Sequence, residues 1–336
     1  MNLKQIASLA GVSTATVSRV INGDPKVRER TRRHVEKVIE ENGYVQNIFA
    51  HNLRRSRSSD IGFLISNFSN PFFIDVYSGF EPVCRKQGFN VVIGNTNEDV
   101  DQEIDAIEHM LSYKVSGIVA SFVGPSEKTL EKIKKNGVYI LQLDRWVKNL
   151  SSDSVVIDNV SGAIGQVDYL AGLGHRRIGL IKGTDFDSNG IERLQGFYMG
   201  MEKNGLPVQK EYLVDGDFIE ENAYQATIKL LSCKVRPTAI IAHNNLMCIG
   251  AYRALRDMNI SIPQEISLIG FDNFSFSEHL QPTITLIDRP EKEMGELAAK
   301  MILERISGEY TGEARKIVFP VKLKIGGSCG KPYTAE

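Results

Sequence analysis

The chain has 336 residues, 42% hydrophobic and 24% charged, with a formal net charge of −1. This is globular material long enough for two or three domains; no apolar run approaches the roughly 18 residues of a membrane span, and no apolar signal core opens it. Cys84, Cys233, Cys248 and Cys329 are scattered without a C-x-x-C pair, which favours buried thiols in a reduced cytoplasm over a disulfide or zinc framework. The small net charge hides an asymmetry. Residues 1–60 carry eleven Lys/Arg and six Asp/Glu, the remainder 29 and 35. A basic head on an acidic body fits a head that touches polyphosphate and a body that does not.

At the start, Leu3, Ile6, Ala7 and Ala10 recur at helical spacing, and Val17, Val20 and Ile21 do so again. Between them, Ala10-Gly11-Val12-Ser13 supplies a glycine to turn the backbone, an apolar plug and an N-capping serine. Two short helices joined so tightly are a helix-turn-helix, whose second helix can enter the DNA major groove. On that helix Thr14, Ala15, Ser18 and Arg19 lie opposite the apolar stripe and face outward. A third helix is expected from about Arg30 to Asn42, with Gly43 placed to end it. Ile6, Leu9, Val17, Val20, Val35, Val38 and Ile39 are the expected core of this head. Residues 46–55 have helical spacing (Phe49, Ala50, Leu53), but fewer than ~12 residues do not hold a helix alone in water. Ser56-Arg57-Ser58-Ser59 reads as a linker.

Beyond residue 60, apolar strand runs alternate with amphipathic helices. Strands are expected at Ile61–Ser66, Val91–Gly94, Gly117–Ser121, Tyr139–Leu143, Ile178–Ile181, Thr238–Ala242 and Leu268–Phe271. Helices fill the gaps, for example Phe73–Gln87, Gln102–Tyr113, Gly190–Asn204, Ala223–Leu231 and Met247–Met258. Short buried strands alternating with helices imply right-handed βαβ units in parallel sheets. The alternation starts afresh after Val155–Asn159, suggesting two similar halves. Ligands bind such sheets at the carboxyl ends of strands, and the cleft between two lobes is the natural pocket.

This order of parts resembles the lactose/galactose repressor (LacI/GalR) family over essentially the whole chain. The carrying motifs are Ile6-Ala7, Gly11-Val12-Ser13 and Thr16-Val17-Ser18-Arg19-Val20-Ile21-Asn22 in the head. In the body they include Asn70-Pro71-Phe72-Phe73, Asp158-Asn159, Gly174-His175-Arg176-Arg177-Ile178-Gly179, Arg193-Leu194-Gln195-Gly196-Phe197 and Ser267-Leu268-Ile269-Gly270-Phe271-Asp272-Asn273. The resemblance implies an all-α helix-turn-helix head and an α/β body of two doubly wound parallel-sheet lobes, like the periplasmic sugar-binding proteins. Residues 1–45 would be the DNA-binding domain, 46–59 the hinge helix and linker, and 60–330 the effector-binding and dimerisation domain. Lobe 1 would hold about 60–156 and 290–316, and lobe 2 about 160–284 and 324–330. Crossovers between the lobes would lie near 156–159, 285–289 and 318–322.

Family position and outward direction together make Thr14, Ala15 and Arg19 the expected base readers. The planar fork of Arg19 suits guanine O6 and N7, and Ala15 offers only an apolar contact. Thr16, Ser18, Asn22 and Thr31 are placed for phosphates, with local capping the alternative for each hydroxyl. Leu53 matches the family's minor-groove wedge. Gln46, however, stands where relatives carry the proline that starts the hinge helix, so the preset φ is lost. In the cleft the matching positions are Phe73, Arg145, Arg193, Phe218, Asn244 and Asp272. An aromatic face, fork donors, an amide and a carboxylate are what a polyhydroxylated ligand requires. Arg145 is equally readable as an interdomain ion pair and Asp272 as a helix cap. His175 reads as a structural hydrogen bonder.

No dinucleotide loop follows the first strand, and there is no P-loop, nucleophile elbow or metal-spaced His/Cys cluster. Asn95-x-Asn97-x-Asp99 lacks the glycine and closing glutamate of a calcium loop. No enzyme, cofactor or metal is expected. The expected function is a cytoplasmic transcriptional regulator of the repressor kind, a homodimer on a near-palindromic operator, answering a small effector in the cleft. A sugar, sugar phosphate, sugar acid or nucleobase all fit, with sugars favoured by the family. Control by a partner protein or corepressor is the nearer rival and a solute-binding protein the more distant. No leucine heptad follows the last strand, so a coiled-coil tetramer is not expected.

Overall fold

The computed structural model describes residues 1–21, 23–44, 58–124, 127–274 and 276–333. Asn22 and the hinge segment with Gln46 and Leu53 lie outside the described residues. The chain divides into two compact units between Ser58 and Ser59.

Among the described residues the head has three helices, α1 (Leu3–Leu9), α2 (Thr14–Ile21) and α3 (Glu29–Glu41). Asn2 and Gln5 cap α1 reciprocally, Asn2 Oδ1 accepting from Gln5 N–H at 3.0 Å and Gln5 Oε1 from Asn2 N–H at 2.8 Å. The turn to α2 carries Gly11 at φ +59°, a left-handed backbone that a side chain would strain. Ser13 Oγ then accepts the Thr16 N–H at 3.1 Å, closing the first turn of α2. At the end of α3, Gly43 and Tyr44 donate to Glu40 O and Ile39 O, so the last carbonyls are satisfied. Ile6, Ala7, Ala10, Val17, Val20, Val35 and Val38 are buried together, with Leu3, Val12, Val27, Ile39 and Tyr44 packed around them. Leu9, expected in this core, is 56% exposed. In a two-turn helix Leu3, Ile6, Ala7 and Ala10 already fill the inward face, and position 9 falls outside it.

The body contains two six-stranded sheets. Lobe 1 runs β1 (Asp60–Ile65), α4 (Pro71–Lys86), β2 (Asn90–Asn95), α5 (Val100–Ser112), β3 (Gly117–Ala120), α6 (Glu127–Lys135), β4 (Tyr139–Leu143) and β5 (Asp153–Ile157). Lobe 2 runs α7 (Asn159–Gly172), β6 (Ile178–Lys182), α8 (Ser188–Lys203), β7 (Leu213–Asp215), α9 (Glu220–Leu231), β8 (Ala239–Ala242), α10 (Asn245–Asp257), β9 (Ser267–Phe271) and β10 (Thr285–Asp288). The chain then returns to lobe 1 for α11 (Glu291–Ser307) and β11 (Lys316–Phe319), and crosses again for β12 (Lys322–Lys324). It therefore passes between the lobes at Asp158, at Arg289-Pro290 and at Pro320-Val321. The strand orders are β2-β1-β3-β4-β5-β11 and β7-β6-β8-β9-β10-β12, parallel except for the β10–β12 pair. Each order reverses beside its first strand, between β1 and β3 and between β6 and β8. That is where doubly wound sheets open a crevice.

The central strands are buried on both faces because helices cover both sides, which is why they read as unbroken apolar runs. His175, as expected, is structural: Nδ1 lies 2.8 Å from Thr238 Oγ1, and Nε2 lies 2.9 Å from Gly330 O. Burial lowers its pKa, which keeps the ring neutral.

Candidate functional site

In the head, α2 turns Thr14, Ala15 and Arg19 to solvent while Val17 and Val20 anchor its other side. The Arg19 side chain is 66% exposed and lies 3.9 Å from Asp24, too loose a contact at the surface to hold the guanidinium. The Thr16 hydroxyl sits 2.9 Å from Ser13 Oγ, the local capping arrangement. Thr31 is half-buried on the first turn of α3. Arg28 stands at the N-cap of α3 with no side-chain capping bond. Arg32 donates to Asp24 O at 2.7 Å and Arg33 to Glu29 at 2.9 Å, so part of this basic face secures the head itself.

In the body, the segments after β1, β4, β6, β7, β8 and β9 bring the six expected cleft residues to the carboxyl ends of the two sheets. All six are buried. Arg193 on α8 is 1% exposed. Its Nε donates to Asn159 Oδ1 at 2.8 Å, one Nη to the His243 carbonyl, and both Nη face Asp272 at 3.3 and 3.4 Å. Its guanidinium lies 3.8 Å over the Phe271 ring. Burial lowers the Arg193 pKa, and the Asp272 carboxylate works against that shift. Arg145 forks onto Glu98 of its own lobe at 2.6 and 2.9 Å, and its Nε lies 3.7 Å from Asp187 of lobe 2. Burial pulls its pKa down, but Glu98 and Asp187 outweigh burial and the net direction is upward. Of the two readings of Arg145, the contacts are those of the ion pair, which reaches across the lobes at the cleft.

Among the described residues, the Asp272 carboxylate is engaged by arginines. The residue sits at φ +68° after β9 and takes Arg193 on one side and Arg289 on the other, the latter at 3.0 Å. Asn244 caps α10, its Oδ1 accepting Met247 N–H at 2.7 Å. Phe218, at φ +60°, lays its ring against Gly183, where a Cβ would fall 2.1 Å from it; only glycine admits the ring there. The Arg145 guanidinium approaches the same ring at 5.4 Å. Phe73 is buried at the start of α4, edge-on to Phe72 at 4.9 Å. Asp187 caps α8, accepting from Asn189 N–H at 2.9 Å and Gly190 N–H at 3.0 Å.

A model of bacterial regulatory proteins of the lacI family matches residues 2–47, and a periplasmic binding protein-like domain matches residues 167–329. The transcriptional repressor CytR of Escherichia coli K12 is 30% identical over 97% of this chain and 95% of its own. The repressor PurR of Aliivibrio salmonicida is 30% identical over 92% and 93%. The chain belongs to the LacI family. It is a DNA-binding transcriptional regulator and not an enzyme. Among solved structures, the lac repressor dimer bound to operator and the anti-inducer ONPF matches with a TM-score of 0.82, at 25% identity over 98% of both chains. The regulator CelR in complex with cellobiose matches at 0.74, with 27% identity over 98% and 99%. No helix among the described residues is long and apolar enough to cross a membrane.

Several cleft residues of this LacI-family chain escape a reading of the sequence. Arg289, at the second crossover, bonds Asp144 of lobe 1 and Asp272 of lobe 2, and stacks 3.5 Å over the Phe72 ring. Asn189 donates to Asp144 at 3.0 Å, Trp146 N–H to Ser188 Oγ at 3.0 Å, and Asn245 to Asn70 at 2.9 Å. Each of these bonds also joins one lobe to the other. Asp144 carried a signal: it follows β4 as Asp272 follows β9, both at φ +68°.

Proposed function

We propose that the protein is a transcriptional repressor acting in the cytoplasm as a homodimer on a near-palindromic operator, controlled by a sugar or sugar derivative bound between its lobes. The observation that carries this is the buried polar seam at the carboxyl ends of both sheets, joined to a chain whose head is a helix-turn-helix. Arg145, Arg193, Asn244 and Asp272 supply hydrogen-bonding groups, and Phe73 and Phe218 supply apolar faces, as a polyhydroxylated ligand needs. The relatives agree in kind, since CelR is seen with cellobiose and a LacI-family regulator of Enterococcus faecium with ribose. Because the relatives seen with effectors hold small molecules and the seam's polar groups are buried away from any protein surface, control by a partner protein is not favoured.

In the head, Thr14, Ala15 and Arg19 read bases, while Thr16, Ser18, Asn22 and Thr31 contact phosphates. Leu53 wedges the minor groove at the operator centre. Effector binding changes how the lobes close and so shifts the operator-binding equilibrium, by as much as its affinities for the two states differ.

The test begins with an operator selected from random duplex DNA. Arg19→Ala should then cost about 1–3 kcal/mol and relax preference at one base pair of each half-site. Equal loss on all sequences would show a phosphate contact instead. In parallel, a thermal-shift screen of sugars should find a ligand that moves both the midpoint and operator affinity, an effect of about 2.7 kcal/mol at 100 times Kd. Arg193→Ala should abolish that shift. A ligand response that survives Arg193→Ala would put the effector site elsewhere.

A further inference from the structure

The cleft's polar groups divide into those already engaged and those still open. Every guanidinium is engaged with carboxylate: Arg145 with Glu98 and Asp187, Arg193 with Asp272, Arg289 with Asp144 and Asp272. Four carboxylates therefore face three guanidiniums. Glu192 adds another, bonded to Trp146 Nε1 at 2.9 Å and Asn159 Nδ2 at 2.8 Å. A phosphate or carboxylate ligand seeks a free cationic fork. Here it would have to displace a resident carboxylate and leave that group buried and unpaired, the costly arrangement for a charge in the interior. The seam is already neutral to negative before any ligand enters.

Arg145 Nε and Arg289 Nε make no hydrogen bond but each faces a carboxylate, Asp187 at 3.7 Å and Asp272 at 3.0 Å, whereas the His243 ring has no such partner among the described residues. His243 follows β8, where Ile240 and Ala242 pack with α9 and α10 while Ala239 and Ile241 pack with α7 and α8. Strand alternation puts His243 on the α7/α8 side, the side of Arg193, whose Nη1 bonds its carbonyl. The His243 side chain is fully buried, and neither ring nitrogen has a hydrogen-bond partner among the described residues. Buried polar atoms are nearly always paired, and an exception at a cleft points to a missing partner. Burial, and then the Arg193 charge, hold the imidazole well below its usual pKa of 6.5. The ring is neutral, with one N–H donor and one acceptor nitrogen.

A donor beside an acceptor suits a hydroxyl, which needs both. We infer that His243 contacts the effector directly, reading a hydroxyl of an uncharged polyhydroxylated ligand, and that the cleft rejects phosphorylated or carboxylated forms of the same sugar. This deepens the proposed function and rests on the cleft being the effector site.

The test uses the full chain and a panel of neutral pentoses, hexoses and disaccharides, each beside its phosphate and its sugar acid, read by thermal shift and calorimetric titration. A neutral member should bind and its charged counterpart should bind at least about tenfold more weakly. His243→Phe, which keeps the ring's bulk and removes both polar atoms, should weaken the neutral ligand by about tenfold or more. The ligand-free midpoint should hold or rise, because two buried unpaired nitrogens are gone. His243→Gln, with an amide donor and acceptor, should recover part of the affinity. A ligand-free midpoint that collapses in His243→Phe with unaltered affinity in His243→Gln and His243→Asn would make the residue structural and overturn the inference. Equal or tighter binding of a phosphate or acid would overturn it as well. If no member of the panel shifts wild-type protein, the cleft reading itself fails, and this inference with it.

Discussion

Lobe 1 and lobe 2 share a strand order, and each ends its fourth strand on an aspartate in left-handed backbone, Asp144 after β4 and Asp272 after β9. They differ in how those aspartates are neutralised. Asp272 holds two guanidiniums, one from its own lobe and one from the crossover; Asp144 holds only the crossover's Arg289 and an amide from Asn189. Lobe 1 instead spends its own arginine, Arg145, on Glu98. A second difference lies behind the cleft. The fourth residue of α5 is the buried Glu103, whereas the fourth residue of the equivalent helix α9 is the buried Ala223. The same fold therefore presents one wall whose aspartate, Asp272, has an arginine of its own lobe, and one whose aspartate, Asp144, takes its cation from the connection between lobes. The cleft's integrity then depends more on Arg289 than on either wall.

The largest effect should come from removing that connection. Arg289→Ala leaves Asp144 and part of Asp272 buried without a cation, and is expected to cost about 3–5 kcal/mol in urea unfolding. A loss under about 1 kcal/mol would mean that the lobes do not lean on this residue. The asymmetry between the aspartates is a finer measure. Asparagine tolerates left-handed backbone and nearly matches aspartate in volume, so Asp→Asn isolates the charge. Asp272→Asn should cost about 2–3 kcal/mol and Asp144→Asn about 1–2 kcal/mol, and the reverse order would refute the contrast drawn between the lobes.

A comparable effect, spread over a pH range, concerns Glu103, which accepts N–H bonds from Val123 and Gly124. Burial pushes its pKa from 4.5 up to about 7, against those bonds and the Arg145 charge. Because the folded value is the higher one, the folded protein keeps a proton that the unfolded chain releases above 4.5. This contribution to stability is complete at lower pH and is lost as pH rises through about 7. Between pH 5 and 8, wild-type protein should lose about 2 kcal/mol relative to Glu103→Gln, which has no such titration. Parallel pH profiles would remove Glu103 from the comparison of the lobes.

Much of this architecture could be read from residue patterns. Doubly buried strands such as Gly117–Ala120 and Leu268–Phe271 announce themselves as unbroken apolar runs, and the turn glycine Gly11 marks the head. The strand Leu213–Asp215 went unread, since three residues are too few for any period to show. Leu9 misled for a related reason: in a seven-residue helix, one extra apolar position cannot be assigned to a face by spacing alone. The expected cleft residues come together at the carboxyl ends of the sheets, but the bonds among them were not readable. Arg289 meets Asp144 and Asp272 only after three separate passages of the chain converge. The orphaned ring of His243 becomes visible only when every neighbouring partner has been accounted for. Even so, the parallel between Asp144 and Asp272 was open to anyone laying one half of the body over the other.

The three crossings between the lobes also bear on how the protein is made. Lobe 2 draws its first five strands and all its helices from one continuous stretch, Asn159 to Asp288, while lobe 1 needs α11 and β11 from beyond residue 290. On the ribosome, lobe 1 is therefore begun first yet waits for α11 and β11 until the bulk of lobe 2 has been made. Until α11 emerges, the part of α4 at Val76, Gly79 and Phe80 that lies against Lys292 and Gly295 in the finished protein lacks that cover. The growing chain carries that apolar stripe through most of its synthesis, and a nascent polypeptide stalled shortly before residue 290 should be a good substrate for chaperones that bind exposed hydrophobic helix faces.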